Sequence, residues 1–113
     1  MAAVVKARSL GGSGTVLVAG SNGMTVYKYR ADVAGSGKSA CNGGCATSWP
    51  PLTVPRGTSL TDGSGASGKL ATIRRSDGTL QVTYNGHPLY FFAGDSAPGD
   101  VNGVYGSWNT VKP

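Results

Sequence analysis

Short alternating runs of apolar and polar residues, each closed by a glycine-rich break, dominate this chain and predict strands of a few residues. Residues 4–10 and 15–19 are β-prone and separated by Gly11-Gly12-Ser13-Gly14. Gly20-Ser21-Asn22-Gly23 then turns the chain into a third strand over 24–30. The plan recurs with strands at 70–74, 79–84 and 87–93, turning at Ser76-Asp77-Gly78 and at Asn85-Gly86. Asn-Gly between apolar runs is a strong hairpin signal because both residues tolerate positive φ. Within the third strands, alternation puts Tyr27 and Tyr29 on one face and Val26, Lys28 and Arg30 on the other. Tyr90 and Phe92 likewise oppose Leu89, Phe91 and Ala93.

The two halves are copies. Asn22-Gly-Met-Thr-Val-Tyr-Lys-Tyr-Arg-Ala-Asp32 aligns without a gap on Asn85-Gly-His-Pro-Leu-Tyr-Phe-Phe-Ala-Gly-Asp95. Thr15-Val-Leu-Val18 parallels Thr79-Leu-Gln-Val82, and Ser48-Trp49 parallels Ser107-Trp108. The expected fold is all-β: two pseudo-twofold-related three-stranded antiparallel meanders packed as a small sandwich or barrel, each burying the other's apolar face. The repeats span about 1–55 and 69–113, joined by a Gly/Ser/Thr-rich linker at 56–68 that reads as mobile. The expected core holds Val16, Val18, Tyr27, Tyr29, Trp49, Leu80, Val82, Tyr90, Phe92 and Trp108. Leu89 and Phe91 would form an apolar outer face, for which residues 49–52 are a possible cover.

Composition narrows the class. With 113 residues the chain makes one domain, and 19 glycines with 6 prolines require many tight turns. The net charge is +5, but the cations are scattered and only Arg74-Arg75 are adjacent, so nucleic acid is not an expected partner. No apolar run has the length of a transmembrane helix. Met1-Ala-Ala-Val-Val lacks the charge and apolar length of a signal peptide, so the expectation is a mature segment without its leader.

Candidate chemistry is sparse. Cys41-Asn-Gly-Gly-Cys45 suits a local disulfide in an oxidising compartment. The alternative is a redox or metal-binding thiol pair, although the spacing matches neither thioredoxin-like sites nor zinc ribbons. His87 is the single histidine and Met24 is its counterpart. Were the axis to pass near the strand starts, His87 and Met24 would face each other, and with the cysteine loop reaching that end, Cys41, Cys45, His87 and Met24 would make a copper set. Asp32 and Asp95 end the third strands and suit turn capping; calcium between Asp95 and Asp100 is the alternative, without an EF-hand pattern to support it. No Gly-x-Ser-x-Gly elbow is present and Glu is absent, so an enzyme is not expected; a small hydrolase would need a pocket joining His87 to a Ser and an Asp.

Tyr27-x-Tyr29-x-x-Asp32, Ser39-Ala-Cys41-Asn-Gly-Gly-Cys45-Ala46, Trp49-Pro50-Pro51-Leu52 and Thr83-Tyr-Asn-Gly-His-Pro-Leu-Tyr-x-Phe-x-x-Asp95 occur in order. Together they resemble the bacterial secreted repeat of unknown function, predicted lipoproteins marked by a Tyr-x-[Phe/Trp/Tyr]-x-x-Asp motif. The resemblance implies export to the cell envelope or beyond, often through a lipid anchor. No amino-terminal lipidation cysteine appears here, which fits a trimmed chain or a freely secreted member. The C-terminal part departs from the family, with Gly103-Val-Tyr-Gly106 where Gly-Gln-Gly is common. The family brings no established catalytic residue. The expected function is a non-catalytic secreted or envelope module, structural or binding. Its partner would be an envelope protein or a second copy, met at Phe91 and Leu89. The alternative is an envelope redox or copper protein.

Overall fold

The structure, a computed structural model, describes residues 4–10, 14–58, 60, 66, 68–104 and 106–113. In chain order its elements are β1 (Val5–Ser9), β2 (Thr15–Ala19), β3 (Tyr27–Tyr29), α1 (Gly44–Ser48), β4 (Thr53–Val54), β5 (Leu70–Arg74), β6 (Leu80–Tyr84), β7 (His87–Pro88) and β8 (Trp108–Thr110). The fold is all-β with small antiparallel sheets, and no closed barrel forms. The helix α1 is a single turn; among the described residues no helix is long and apolar enough to cross a membrane.

The outer hairpins follow local sequence. β1 pairs with β2 from Val5↔Ala19 to Ser9↔Thr15, and β5 pairs with β6 from Leu70↔Tyr84 to Arg74↔Leu80. Asn85 (φ 51°) and Gly86 (φ 84°) both take positive φ, so the chain reverses in two residues and Tyr84 faces His87. The Asn22-Gly23 turn is built differently. Only Gly23 has positive φ (73°), Asn22 Oδ1 accepts the Met24 N–H at 2.9 Å, and Ala19 N–H reaches Met24 O. Copy one therefore spends two more residues in the turn, and its second strand is displaced by one position. Leu17 accepts from Val26 N–H as Val82 accepts from Leu89 N–H, so the counterpart of Leu17 is Val82, not Gln81.

The expected all-β fold of small antiparallel sheets holds, and in both meanders the third strand leaves its neighbour after two or three residues. Copy two has the β5–β6–β7 meander, but β7 is only two residues long. Pro88 has no N–H with which to continue the ladder. In copy one Met24, Thr25 and Val26 run back along β2, with Thr25 bridging Val18; β3 then pairs with β8 through Tyr27↔Thr110, Lys28↔Asn109 and Tyr29↔Trp108. Local alternation sets the face of a strand, not its neighbour. This neighbour was chosen by burial, since β8 carries Trp108 onto the ring of Tyr29.

The pseudo-twofold axis passes between Tyr27 and Tyr90. Each N–H donates to the other's carbonyl, at 2.7 and 2.9 Å. Residues 50–52 run beside the Tyr90 strand as β8 runs beside β3: Pro51 bridges Tyr90, and Leu52 N–H donates to Leu89 O. Both segments reach on to the outer hairpins, where Val82 N–H donates to Leu52 O and Leu17 N–H to Val111 O. An extended central layer thus lies between two cores. The aliphatic core holds Val5, Leu17, Val26, Leu52, Val82, Leu89 and Val111. The aromatic core holds Tyr27, Trp49, Tyr90 and Trp108 with Cys41.

Of the expected core, Val16, Val18, Tyr27, Trp49, Val82, Tyr90 and Trp108 are buried, whereas Tyr29, Leu80 and Phe92 are half-buried. Most of the linker's Ser- and Gly-rich centre (59, 61–65 and 67) lies outside the described residues. Its C-terminal end is anchored. Ala66 packs in the aliphatic core, and Gly68 N–H donates to Tyr84 Oη at 2.6 Å.

Candidate functional site

The repeated Tyr and Asp meet across the axis. Tyr27 Oη donates to Asp95 Oδ2 at 2.6 Å, and Tyr90 Oη donates to Asp32 Oδ2 at 2.6 Å. The second carboxylate oxygens are used alike: Asp32 Oδ1 accepts Ala40 N–H at 2.6 Å and Asp95 Oδ1 accepts Asn102 N–H at 2.9 Å. Each aspartate therefore holds a loop of its own copy and a tyrosine of the other. Both carboxyls are nearly closed to solvent, 8 % and 9 % exposed. Burial, and then the carboxylate at the hydroxyl, push both phenols well above their ordinary value of 10.0.

Beside these pairs the rings form a symmetric stack. Tyr29 lies on Trp108 at 4.3 Å, Trp108 on Trp49 at 3.8 Å, and Trp49 on Phe92 at 4.5 Å. Tyr27 and Tyr90 abut it edge-on, at 5.4 Å from Trp49 and 5.1 Å from Trp108. Such contacts contribute about 0.5–1.5 kcal/mol each beyond area burial. Gly103 admits the stack; a Cβ there would stand 2.7 Å from Trp49. These shared residues are occupied in holding the halves together.

Cys41 and Cys45 form a disulfide. The loop sits where copy one has three extra residues, with nine steps from Ala40 to Trp49 against six from Asn102 to Trp108. Arg75 of copy two clamps it, donating to Ser39 Oγ at 3.0 Å, Cys41 O at 2.7 Å and Asn42 Oδ1 at 3.2 Å. The same guanidinium donates to the buried Gln81 Oε1 at 2.7 Å. Neither sulfur is a free thiol in this structure. His87 and Met24 do not face each other either. Each lies three residues before an axial tyrosine on antiparallel strands, which separates them by roughly 20 Å. Among the described residues no three His, Cys, Asp or Glu side chains group as metal ligands. Asp100 is a turn cap: its Oδ2 accepts from Ser96 N–H, Ser96 Oγ and Ala97 N–H, and the backbone donors lower its pKa.

The expected Phe91–Leu89 surface is not open. Leu89 is fully buried in the aliphatic core, and Phe91 is half-buried against it. Residues 50–52, within the segment expected to cover this face, run beside it, and Val5, Leu17 and Ala19 of the β1–β2 hairpin share the aliphatic core with Leu89. Among the described residues the large apolar side chains that do face solvent are Val33 and Val104.

An open groove of about 360 Å³ lies on the opposite flank of the central layer. Its lining includes Lys28, Arg30, Asp32, His87, Ser107 and Asn109, with Trp108 behind them. Alternation turns Lys28 and Arg30 away from the aromatic core, and the Tyr27–Tyr90 register sets His87 across from Arg30. Asn109 is the partner of Lys28 across β8. This is where symmetry fails: the counterparts of Lys28, Arg30, His87 and Asn109 are Phe91, Ala93, Met24 and Pro50. Four polar side chains on one flank answer four apolar ones on the other. Sequence comparison of the copies already contained Lys28 against Phe91, but it pointed to the apolar member as the exposed one.

Two Tyr-x-[Tyr/Phe]-x-x-Asp units interlocked about an axis, in a chain carrying a disulfide, define a tandem-repeat β-module of the exported type. Residues 10–53 and 71–112 each match the family model described as a secreted repeat of unknown function, and the chain belongs to that family. That description supports an extracellular or envelope location. No curated protein and no solved structure matches the chain.

Proposed function

We propose that the protein is a non-catalytic secreted or envelope-bound binding module whose contact face is the Lys28–Arg30–His87–Asn109 groove. The observation that carries this is the local breakdown of symmetry. Residues needed for folding recur in both copies, whereas the groove residues differ in kind from their counterparts and have no comparable packing role. The side chains of Lys28, Arg30 and His87 have no hydrogen-bond or ion-pair partner among the described residues. The test is binding of the labelled protein to the cell-envelope fraction of the producing organism. Lys28→Ala/Arg30→Ala should lose retention, while Lys6→Ala/Arg8→Ala, with the same net charge, should keep it. Equal retention of both variants would refute the reading.

A hydrolase is the second reading, because His87, Ser107 and Asp32 line the same groove. Nucleophilic catalysis of that type needs a serine–histidine and a histidine–carboxylate hydrogen bond. Neither is formed, and both Asp32 oxygens are committed to Tyr90 Oη and Ala40 N–H. This supports the non-catalytic reading. Hydrolysis of p-nitrophenyl acetate that disappears in Ser107→Ala would favour the enzyme.

A further inference from the structure

The groove presents more hydrogen-bond donors than free acceptors. Lys28 and Arg30 are donors only, and His87 and Ser107 can each donate. Asn109 turns its acceptor inward: Oδ1 takes the Thr110 N–H at 2.8 Å, and the NH₂ end has no partner among the described residues. The lining carboxylate is similarly occupied, with Asp32 Oδ1 and Oδ2 each accepting one internal hydrogen bond at 2.6 Å. A surface of unpaired donors recognises a ligand that only accepts.

Two permanent cations against one shielded carboxylate leave the groove positive. The planar guanidinium of Arg30 can grip two oxygens of one group, and Lys28 adds a point charge beside it. These side chains converge on one groove instead of tracing a stripe, which suits a single anionic group better than the repeated phosphates of a duplex. We propose that the groove is an oxyanion site, taking a carboxylate or phosphate group held between Lys28, Arg30, His87 and the Asn109 amide. This assignment rests on the reading of that flank as the binding face and adds the chemistry of its ligand.

The test is a titration of the folded, oxidised protein, followed by amide chemical shifts, with inorganic phosphate, galacturonate and neutral glucose. Shifts at residues 28–30, 87 and 106–109 with either anion, weakening as salt rises, are expected. Response to galacturonate alone assigns a carboxylate and to phosphate alone a phosphate; response to both assigns a general oxyanion site. Arg30→Ala should weaken binding about ten- to a hundredfold, the effect of losing a charge-assisted bond, and Lys28→Glu should abolish it. Their urea midpoints should match the wild type, since neither side chain holds the fold. Silence with both anions, or anion shifts confined to the hollow at Lys38, Arg74 and Arg75, overturns the proposal. Glucose moving the groove amides while the anions do not also overturns it, yet leaves the flank as the binding face.

Discussion

Tyr27→Phe deletes one oxygen and tests how the two copies are joined. In the wild type that oxygen donates to Asp95 Oδ2 at 2.6 Å and accepts the Gly103 N–H at 3.2 Å. Tyr27 is fully buried and Asp95 is 9 % exposed, so water cannot fully replace either bond. A hydrogen bond to a buried charge contributes about 1.5–3 kcal/mol, and an orphaned backbone N–H costs about 1 kcal/mol more. The expected loss is therefore roughly 2–4 kcal/mol, from a total of about 5–15 kcal/mol for a domain. In urea, with a slope of about 1–2 kcal/mol per M, the midpoint followed by tryptophan fluorescence should fall by roughly 2 M. The decisive measurement is a pair of double-mutant cycles. Tyr27→Phe with Asp95→Asn should show a coupling of about 1.5–3 kcal/mol, and Tyr27→Phe with Asp32→Asn less than about 0.5 kcal/mol. Larger coupling to Asp32, the aspartate of Tyr27's own repeat, would refute the cross-axis pairing. So would a Tyr27→Phe variant of wild-type stability.

High pH gives a second test. Tyr27 and Tyr90 have raised pKa values when folded, so the native state keeps protons that the unfolded chain loses near pH 10. Their contribution is complete below about pH 10 and should drain away above it, at about 1.4 kcal/mol per pH unit for each tyrosine. Urea midpoints measured through that range check this; an unchanged alkaline slope in Tyr27→Phe/Tyr90→Phe would contradict it. Removing the disulfide in Cys41→Ser/Cys45→Ser should cost about 2 kcal/mol, the closure entropy of so short a loop, with envelope retention preserved because the loop lies outside the groove. Gly103→Ala should destabilise more than Gly44→Ala in thermal melts. Neither glycine has a positive φ, but only at Gly103 would the added methyl strike rings, those of Trp49 and Tyr27.

Much of the fold is legible along the chain because it is locally determined. The strands at 15–19 and 70–74 have the predicted bounds, and the positive φ at both Asn85 and Gly86 is what these two residue types tolerate best. Pairings that join distant parts of the chain are not legible in this way. Alternation correctly set Tyr27 and Tyr29 together, but it could not show that the chain leaves β2 after Val26 and pairs β3 with β8, from Tyr27↔Thr110 to Tyr29↔Trp108. The cover that the pattern asked for over Leu89 and Phe91 did fall on the expected segment, since residues 50–52 run beside that strand, but alternation could not show that Leu89 would be closed off completely. The Tyr–Asp pairs did leave a signal. In a twofold arrangement, if residue i meets j then the counterpart of j meets that of i. A tyrosine and an aspartate repeated five residues apart in both copies satisfy that condition, whereas turn capping alone explains only the aspartates. The groove left a weaker trace, Lys28 against Phe91, whose direction depended on which flank the aliphatic core would cover.

Joining two repeats in one chain permits what two identical chains could not. Every contact across the axis must be answered by its counterpart, so Tyr27 requires Tyr90, Asp32 requires Asp95, and Trp49 meets Trp108 on the axis itself. Change in one copy there leaves a buried hydroxyl or carboxylate unpaired in the other. Away from the axis the constraint lapses. In a dimer of single repeats, an apolar residue at the Lys28/Phe91 position would pack on both flanks, and a cation would open both. The fused chain puts Phe91 against the aliphatic core on one flank and leaves Lys28, Arg30 and His87 facing a groove on the other. One half of the asymmetry adds apolar contact to the core, and the other leaves a polar surface open to solvent. The groove residues can therefore change without disturbing the interlocked tyrosines.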